Sequence, residues 1–446
     1  MRPMNPRLTA LDVLVQLESS PKHLDKLLSR AFQRHPAAQA RDKAMATNLT
    51  HTVLRHRAWL DHLLTPLVSR PLAKLDAPVR AALRLGAAEL VVLATPAHAA
   101  VGATVEAVKA GPAAKASGLV NGVLRALTRA LPAAAQAEPP GDELDRLCLR
   151  HSHPRWLLEP LARRFGLEQA AAWAQANQSQ PPLCLRVNAL KASPAQVAES
   201  LAPVCEAVEA HALAPEALIV RGAAGPLWDL PGFREGLWQA QDAGAQALGR
   251  LLGVGPGMTV LDLCAGAGGK SGHLAALMAN QGRIVAVDDS AGRLEALAEN
   301  MARLGVTIVE PVLADGAAWD GGGRLFEAIL VDAPCSGLGV IGRRPDIRWR
   351  RSPADSAAMA RIQLALARNA ARLLAPGGAL VYCTCTVAEA ENEGVARALL
   401  AARPELRPSW AGAEAAGEMI GADGFWRSFP RPMAADSFFA ARLVKA

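Results

Sequence analysis

The C-terminal half of this chain reads as an α/β fold built on a parallel sheet, and three features carry that assignment. Apolar, strand-like runs alternate with helix-length stretches, the order that lays strands side by side in one direction. Glycines crowd the turn after the first run, as happens where a strand hands over to a helix beneath a ligand. Asp288, Asp315, Asp332 and Cys385 then fall at the carboxyl ends of later runs, the edge where such sheets bind ligands. Ahead of this half, residues 1–132 read as nearly all helix and 144–245 as a small α/β segment, which leaves 246–446 for the main sheet.

In the front region Leu8, Leu11, Val13, Leu14 and Leu17 mark one apolar face, and Met45, Leu49, Val53 and Leu54 another. Val79, Leu83, Leu85, Leu90, Val105 and Val108 continue the pattern. A last helix over 118–127 turns Val120, Val123, Leu124 and Leu127 inward and leaves Arg125 and Arg129 on its polar side. Arg41, Lys43, Arg55, His56, Arg57, Arg125 and Arg129 form a candidate phosphate-facing patch. The plainer alternative is a solvated helix face. Residues 131–141, LPAAAQAEPPG, read as a Pro/Ala linker. The small segment is expected to hold strands over 183–187 and 217–220 around a helix over 194–201. Arg186-Val187-Asn188 in its first strand reads, from the residues alone, as a buried strand ending in a turn-forming Asn.

The main sheet begins with 259–270, TVLDLCAGAGGK: a buried strand, a tight turn at Gly266, Gly268 and Gly269, and a helix from about 271. The spacing is not the GxGxxG of dinucleotide sites, so NAD is disfavoured. A strand over 283–287 ends at Asp288, an acid well placed for the hydroxyls of a ribose. A helix over 293–303, a strand ending at Ala314-Asp315 and the apolar run 326–331 follow. That run stops at Asp332-Ala333-Pro334-Cys335-Ser336-Gly337. A helix over 356–374 then leads to a strand over 379–385, VYCTC at its end.

Composition narrows the function. The 446 residues are enough for two or three domains, and 51% apolar content supports real cores. A net charge of +7 and a pI near 9.2 suit a polyanionic partner. Seven cysteines, an odd number, argue against a disulfide framework. Cys383 and Cys385 have no second Cys/His pair at ligand spacing, so no metal is expected. With neither a signal-like apolar stretch nor a membrane-length run, a soluble, cytoplasmic protein is expected.

The motifs LDLCAGAGGKS, VAVDDSAGRL, VDAPCSGLGVIGRRPDIRW and LVYCTCT closely resemble S-adenosylmethionine-dependent RNA cytosine-C5 methyltransferases, in particular the bacterial 16S ribosomal RNA enzymes of the RsmB/Sun type. RDKAMATNLTHTVLRHRAWLDHLL and GLVNGVLRALTR resemble the NusB-type helical domain that precedes the catalytic part in that family. The resemblance therefore implies an all-α NusB-like domain, a small α/β RNA-binding subdomain in which Arg186-Val187-Asn188 approaches RNA, and a Rossmann-like methyltransferase domain acting on 16S rRNA; a monomer is expected. One departure is Ala267, where the family's first motif has proline; the contacts there are mostly backbone, so loop stiffness changes more than chemistry.

Cytosine C5 is too poor a nucleophile to take a methyl group until a thiolate adds at C6. That chemistry asks for a nucleophilic thiolate, an acid at N3 and a base or release group. The residues alone leave open which cysteine attacks. The family's TCT motif places the nucleophile on Cys385, while Cys335 matches the cysteine that assists product release. Cys335 is the second choice for nucleophile, because DNA cytosine methyltransferases use the corresponding proline-cysteine. Cys383 reads as packing. Asp332 is expected on the cytosine edge and near the cofactor's charged end, with a cap on the following turn as the alternative. Cys264, Ala265, Gly266, Ala267, Gly268, Gly269 and Lys270 are expected to cradle the methionine part, Lys270 holding Asp332 or the methionine carboxylate. Asp288 takes the ribose, Arg293 joins the cofactor set, and Asp315 resembles the acid that accepts from the adenine amino group. Arg343, Arg344, Arg348, Arg350 and Arg351, with Trp349, suggest phosphate clamping and base stacking, or else a loop held by salt bridges. Rival activities are a tRNA or broader RNA 5-methylcytosine methyltransferase and a non-catalytic RNA-binding or ribosome assembly factor.

Overall fold

The structure, a computed structural model, describes residues 4–134, 138–413, 419–430 and 435–446. It packs as two units, Met1–Ser179 together with Ile341–Arg350, and Gln180–Val340 together with Arg351–Ala446. Among the described residues no helix is long and apolar enough to cross a membrane.

The first unit is helical, as its 3.6-residue periodicity requires. Its helices are Pro6–Ser19, Leu24–Gln33, Ala40–Arg55, Arg57–Leu64, Ala77–Val91, Ala97–Lys109 and Ser117–Ala134, followed by Glu143–Arg150, Arg155–Phe165 and Leu167–Ala176. Local chemistry starts them: the Asn5 side chain accepts from the Arg7 and Leu8 N–H groups, with Pro6 in the first turn, and Asp142 and Asp145 form a reciprocal cap. Leu11, Leu14, Leu49, Val53, Leu83, Val120 and Leu124 are all buried in one core. The helix Ser117–Ala134 continues through Pro132 into the stretch expected as a linker; of that stretch, 135–137 lie outside the described residues.

Within the segment Ile341–Arg350 the structure corrects the expectation of an RNA clamp for Arg348, Trp349 and Arg350, while Arg344 stays exposed. Arg348 is fully buried and donates to the carbonyls of Arg55 (3.3 Å), Ser152 (3.2 Å) and Asn177 (3.0 Å). Trp349 Nε1 donates to Leu54 O at 2.7 Å, and Arg57 lies 5.2 Å over its ring. Arg350 reaches the carbonyls of Lys22 (2.5 Å) and Ser20 (3.0 Å). Apart from Lys22, which lies between two helices, these acceptors sit at or just past the C-terminal ends of helices Pro6–Ser19, Ala40–Arg55, Glu143–Arg150 and Leu167–Ala176. The last carbonyls of a helix have no intrahelical donor and carry the negative end of its dipole, so arginine is the natural partner. Arg55, from the candidate phosphate patch, is likewise buried and donates to Gly342 O at 2.9 Å. Burial, with Arg348 and Arg55 adding to it, pushes His56 down to about 4, which removes it as a cation at neutral pH. Arg41, Arg125 and Arg129 remain exposed.

The second unit holds two sheets. In the small one, β1 (Leu183–Val187), β2 (Ala207–Ala210), β3 (Ala217–Arg221) and β4 (Trp238–Ala240) are antiparallel in the order β2-β3-β1-β4, beside the helix Pro194–Leu201. Helix Ala243–Leu251 leads to the main sheet. Its strands are β5 (Thr259–Leu263), β6 (Arg283–Asp288), β7 (Val309–Leu313), β8 (Phe326–Asp332), β9 (Leu374–Thr384), β10 (Leu406–Pro408), β11 (Trp426–Arg427) and β12 (Phe439–Lys445). The order is β10-β12-β9-β8-β5-β6-β7, with β11 also on β12. The stretch from β9 to β7 is parallel, as expected; β12 and β10 extend it antiparallel, from C-terminal residues that the sequence pattern does not mark as strands. From β5 the chain moves to β6 and β7 on one side and then returns to β8 on the other. The reversal opens a crevice at the carboxyl ends of β5 and β8.

Candidate active site

The glycine turn is built from β5 outward. Cys264 takes the left-handed conformation (φ 80°), unusual for a residue with a Cβ, and Gly266 (57°) and Gly268 (79°) share it. Gly268 is doubly constrained, because a Cβ there would lie 2.8 Å from Leu297 Cγ. Helix Gly269–Leu277 follows at once, its first intrahelical bond being Gly272 N to Gly268 O at 2.9 Å. The N–H groups of residues 269–271 precede that bond and face the turn, the arrangement that receives a carboxylate or phosphate. At the end of β6 the buried Asp288 accepts from Gly266 N at 2.9 Å and Ser290 N at 3.0 Å, and Arg293 reaches it at 3.4 Å. Ala314 N donates to Asp288 O, which brings Asp315 beside it; the exposed Asp315 side chain accepts from Ala317 N at 2.9 Å. Ala265 is buried and Ala267 exposed, with Asn300 donating to Ala267 O.

At the crevice Lys270 Nζ meets Asp332 Oδ2 at 2.5 Å. Burial works against the ammonium, but Asp332 outweighs it and holds the lysine above its ordinary range. Asp332 Oδ1 lies 3.8 Å from Cys383 Sγ. Cys383 is fully buried within β9, whereas Cys385 sits just past the strand end and is partly exposed. Its Sγ is 3.3 Å from that of Cys335. The hydrogen bond with Cys335, followed by burial, pushes the Cys385 thiol well above its ordinary value. Gly339 explains how the two loops come so close: its N–H donates to Cys385 O at 3.0 Å, and a Cβ would stand 2.1 Å from Ser437 O.

Comparisons with known proteins cover nearly the whole chain. Family models match at 4–129 (NusB family), 153–225 (RsmF/B-like ferredoxin-like domain) and 250–444 (16S rRNA methyltransferase RsmB/F). The ribosomal RNA small subunit methyltransferase B of Pseudomonas putida is 35% identical, covering 99% of each chain. The chain belongs to the RsmB/F family of rRNA methyltransferases. Among solved structures, PH0851 is 25% identical, covers all of both chains and superposes with a TM-score of 0.81. NSun6 from Pyrococcus horikoshii, solved with SFG, shares the fold at 23% identity and a TM-score of 0.59, covering 66% of this chain and 98% of its own.

As an RsmB/F methyltransferase, the chain spends some expected RNA contacts internally. Arg186 is buried and donates to Gly269 O and Gln241 Oε1, each at 2.5 Å, so it braces the first residue of the helix behind the glycine turn. Asn188 is buried and donates to Gly236 O and Leu304 O, each at 2.9 Å. The buried-strand alternative is the one the structure adopts for both. Arg351 donates to Ser336 O at 3.1 Å, in the Cys335 loop. Asp262 escaped notice in the sequence: fully buried, it accepts from Ser271 Oγ at 2.6 Å and closes the turn from below, and burial pushes its carboxyl up to about 6. Gln363, Glu391 and Asn392, all buried behind the cysteines, were also missed. The sequence carries no signal for them: Glu391-Asn392-Glu393 reads as a polar surface run, and only the structure shows all three fully buried.

Proposed function

We propose that this methyltransferase acts on C5 of a cytosine in 16S rRNA, with S-adenosylmethionine as donor, through a covalent adduct between Cys385 and C6. The observation that carries the reading is the pair of thiols 3.3 Å apart at adjoining loops, beside the Lys270–Asp332 pair. The glycine turn fits the donor: a Cβ on Gly266 or Gly269 would meet nothing within 4 Å, so open space lies against the turn. The N–H groups of 269–271 suit its carboxylate, and Asp288 keeps acceptor capacity for ribose hydroxyls. Asp315 would take the adenine amino group, and Arg293 holds Asp288. S-adenosylmethionine bound there supplies an electrophilic methyl group to the activated carbon. SFG, an analogue of that donor, accompanies the Pyrococcus horikoshii neighbour.

The chain's own residues handle the rest. Cys385 gives its proton to the Asp332 carboxylate and adds to C6; the C5=C6 pair moves to C4–C5, the C4=N3 pair moves to N3, and N3 takes the proton from Asp332. Lys270, bonded to Asp332, supplies the charge that steadies both the carboxylate and the nearby thiolate. After methylation Cys335, as thiolate, takes the C5 proton, and N3 returns its proton to Asp332. The C5–H pair re-forms C5=C6, and the C6–S pair returns to Cys385 as thiolate.

Methyl transfer to in-vitro-transcribed 16S rRNA, with nucleoside analysis, tests this directly. Wild type should yield 5-methylcytosine, Cys385→Ala none, and Cys335→Ala a trapped protein–RNA adduct. Activity retained in Cys385→Ala, with no adduct from Cys335→Ala, sinks the nucleophile assignment. Transfer to tRNA but not 16S rRNA sinks the substrate. The pH dependence is a further check. A raised thiol pKa leaves little thiolate at neutral pH, so adduct formation should climb by up to about tenfold per pH unit below that pKa. Cys335→Ala removes the largest cause of the elevation, and its adduct-formation profile should move to lower pH.

A further inference from the structure

Each reactive cysteine is followed in the sequence by a hydroxyl residue, giving Cys335-Ser336 and Cys385-Thr386. Ser336 and Thr386 are both fully buried, and their hydroxyls are hydrogen-bonded to each other at 2.8 Å. The thiols are therefore held 3.3 Å apart by a second, hidden pair one residue on. Behind it, Glu391 Oε2 accepts from Ser336 N (2.8 Å) and from Gln363 Nε2 (2.9 Å), and Gln363 Nε2 also reaches Pro334 O at 2.9 Å. Tyr382, on β9, donates to Gln363 Oε1 at 3.1 Å and to Glu391 O at 2.5 Å. Asn392 Nδ2 holds Thr386 O at 2.9 Å. The network thus grips both cysteine loops, from residues that are themselves fully buried: Gln363, Tyr382, Glu391 and Asn392.

Burying a carboxyl and several hydroxyls is costly unless they are bonded to one another, and a bonded network of this kind fixes one geometry. We infer that the Ser336–Thr386 hydroxyl pair, backed by Glu391 and Gln363, is a positioning device that keeps Cys335 in register with Cys385 and so governs release of the methylated product. This rests on the assignment of Cys385 as nucleophile and Cys335 as release residue. Attack needs one thiol, whereas release needs both at once, with the C5 proton leaving to Cys335 as the C6–S pair returns to Cys385. A loop displacement of about 1 Å therefore falls on the second step, where misplacement costs on the order of a hundredfold.

The test compares wild type with Thr386→Val, Ser336→Ala and Thr386→Ser, reading single-turnover methyl transfer, steady-state turnover and adduct on a denaturing gel. Thr386→Val and Ser336→Ala should transfer one methyl group within about threefold of the wild-type rate. Their turnover should fall on the order of a hundredfold, and adduct should build up. Thr386→Ser, which restores the hydroxyl, should behave as wild type. A parallel fall in both rates without adduct, or no change in either, overturns the inference. Should Thr386→Val not fold, Glu391→Gln keeps the side-chain shape and must still raise the adduct level; if it does not, the inference fails. Cys335→Ala and Cys385→Ala run alongside. If the first traps no adduct and the second stays active, the failure belongs to the catalytic assignment and not to the positioning device.

Discussion

The connection between β8 and the helix Pro353–Leu373 has two halves that differ in what their residues are for. The first, from Asp332 to Gly339, brings Asp332 to Lys270 and Cys335 to Cys385. The second, Ile341–Arg350, is dense in arginine, yet Arg348 and Arg350 donate to main-chain carbonyls of the helical unit. Residue type pointed to chemistry in both halves; in the first the structure brings the named residues together, and in the second it turns Arg348 and Arg350 onto main-chain carbonyls. A thiol or an acid at a strand end has few structural uses, so its presence there is informative. An arginine has five donors that satisfy a phosphate or a helix end equally well.

Arg348→Ala tests that contrast hardest. It leaves several buried carbonyls without a donor and a void behind them, so denaturant unfolding should show a loss of about 3–5 kcal/mol. Stability within about 1 kcal/mol of wild type, coupled with a shallower salt dependence of RNA binding, would instead return Arg348 to the phosphate-binding class. A smaller effect is expected on the catalytic side from Gly268→Ala. The left-handed backbone and the approach to Leu297 should cost about 1–3 kcal/mol, read as weaker binding of S-adenosylhomocysteine by calorimetry. Unchanged affinity would mean that the turn is not held as described. The smallest change belongs to Arg125→Ala and Arg129→Ala, both exposed. Stability should stay within about 0.5 kcal/mol, while the log–log salt slope of RNA binding becomes shallower by roughly one for each phosphate left without its arginine. An unaltered slope would remove this helix face from the RNA surface.

The local parts of the fold could be read in advance because their causes are local. Helix Pro194–Leu201 was placed correctly; a proline stands in its first turn, and Ser193 with Gln196 caps it. Strand β1 was found at its observed limits, and β8 within one residue, since apolar runs of that length have few alternatives. The glycine turn was recognisable because only glycine relieves the backbone at Gly266 and Gly268. β10 and β12 were missed: β10 is a three-residue edge strand, and β12, which lies between β10 and β9, finds both partners far off in the chain.

What the sequence by itself determined was the set of groups available at the sheet edge: Lys270, Asp288, Asp332, Cys335 and Cys385, each tied to an element by short-range pattern. Tertiary structure alone decided which of them meet and which charges face inward. The Cys335–Cys385 contact, the Ser336–Thr386 pair and the Arg348 carbonyl bonds all join residues distant in the chain. Whether a polar group serves a substrate or a neighbouring main chain depends on the acceptor that packing brings to it, and no local pattern encodes that acceptor.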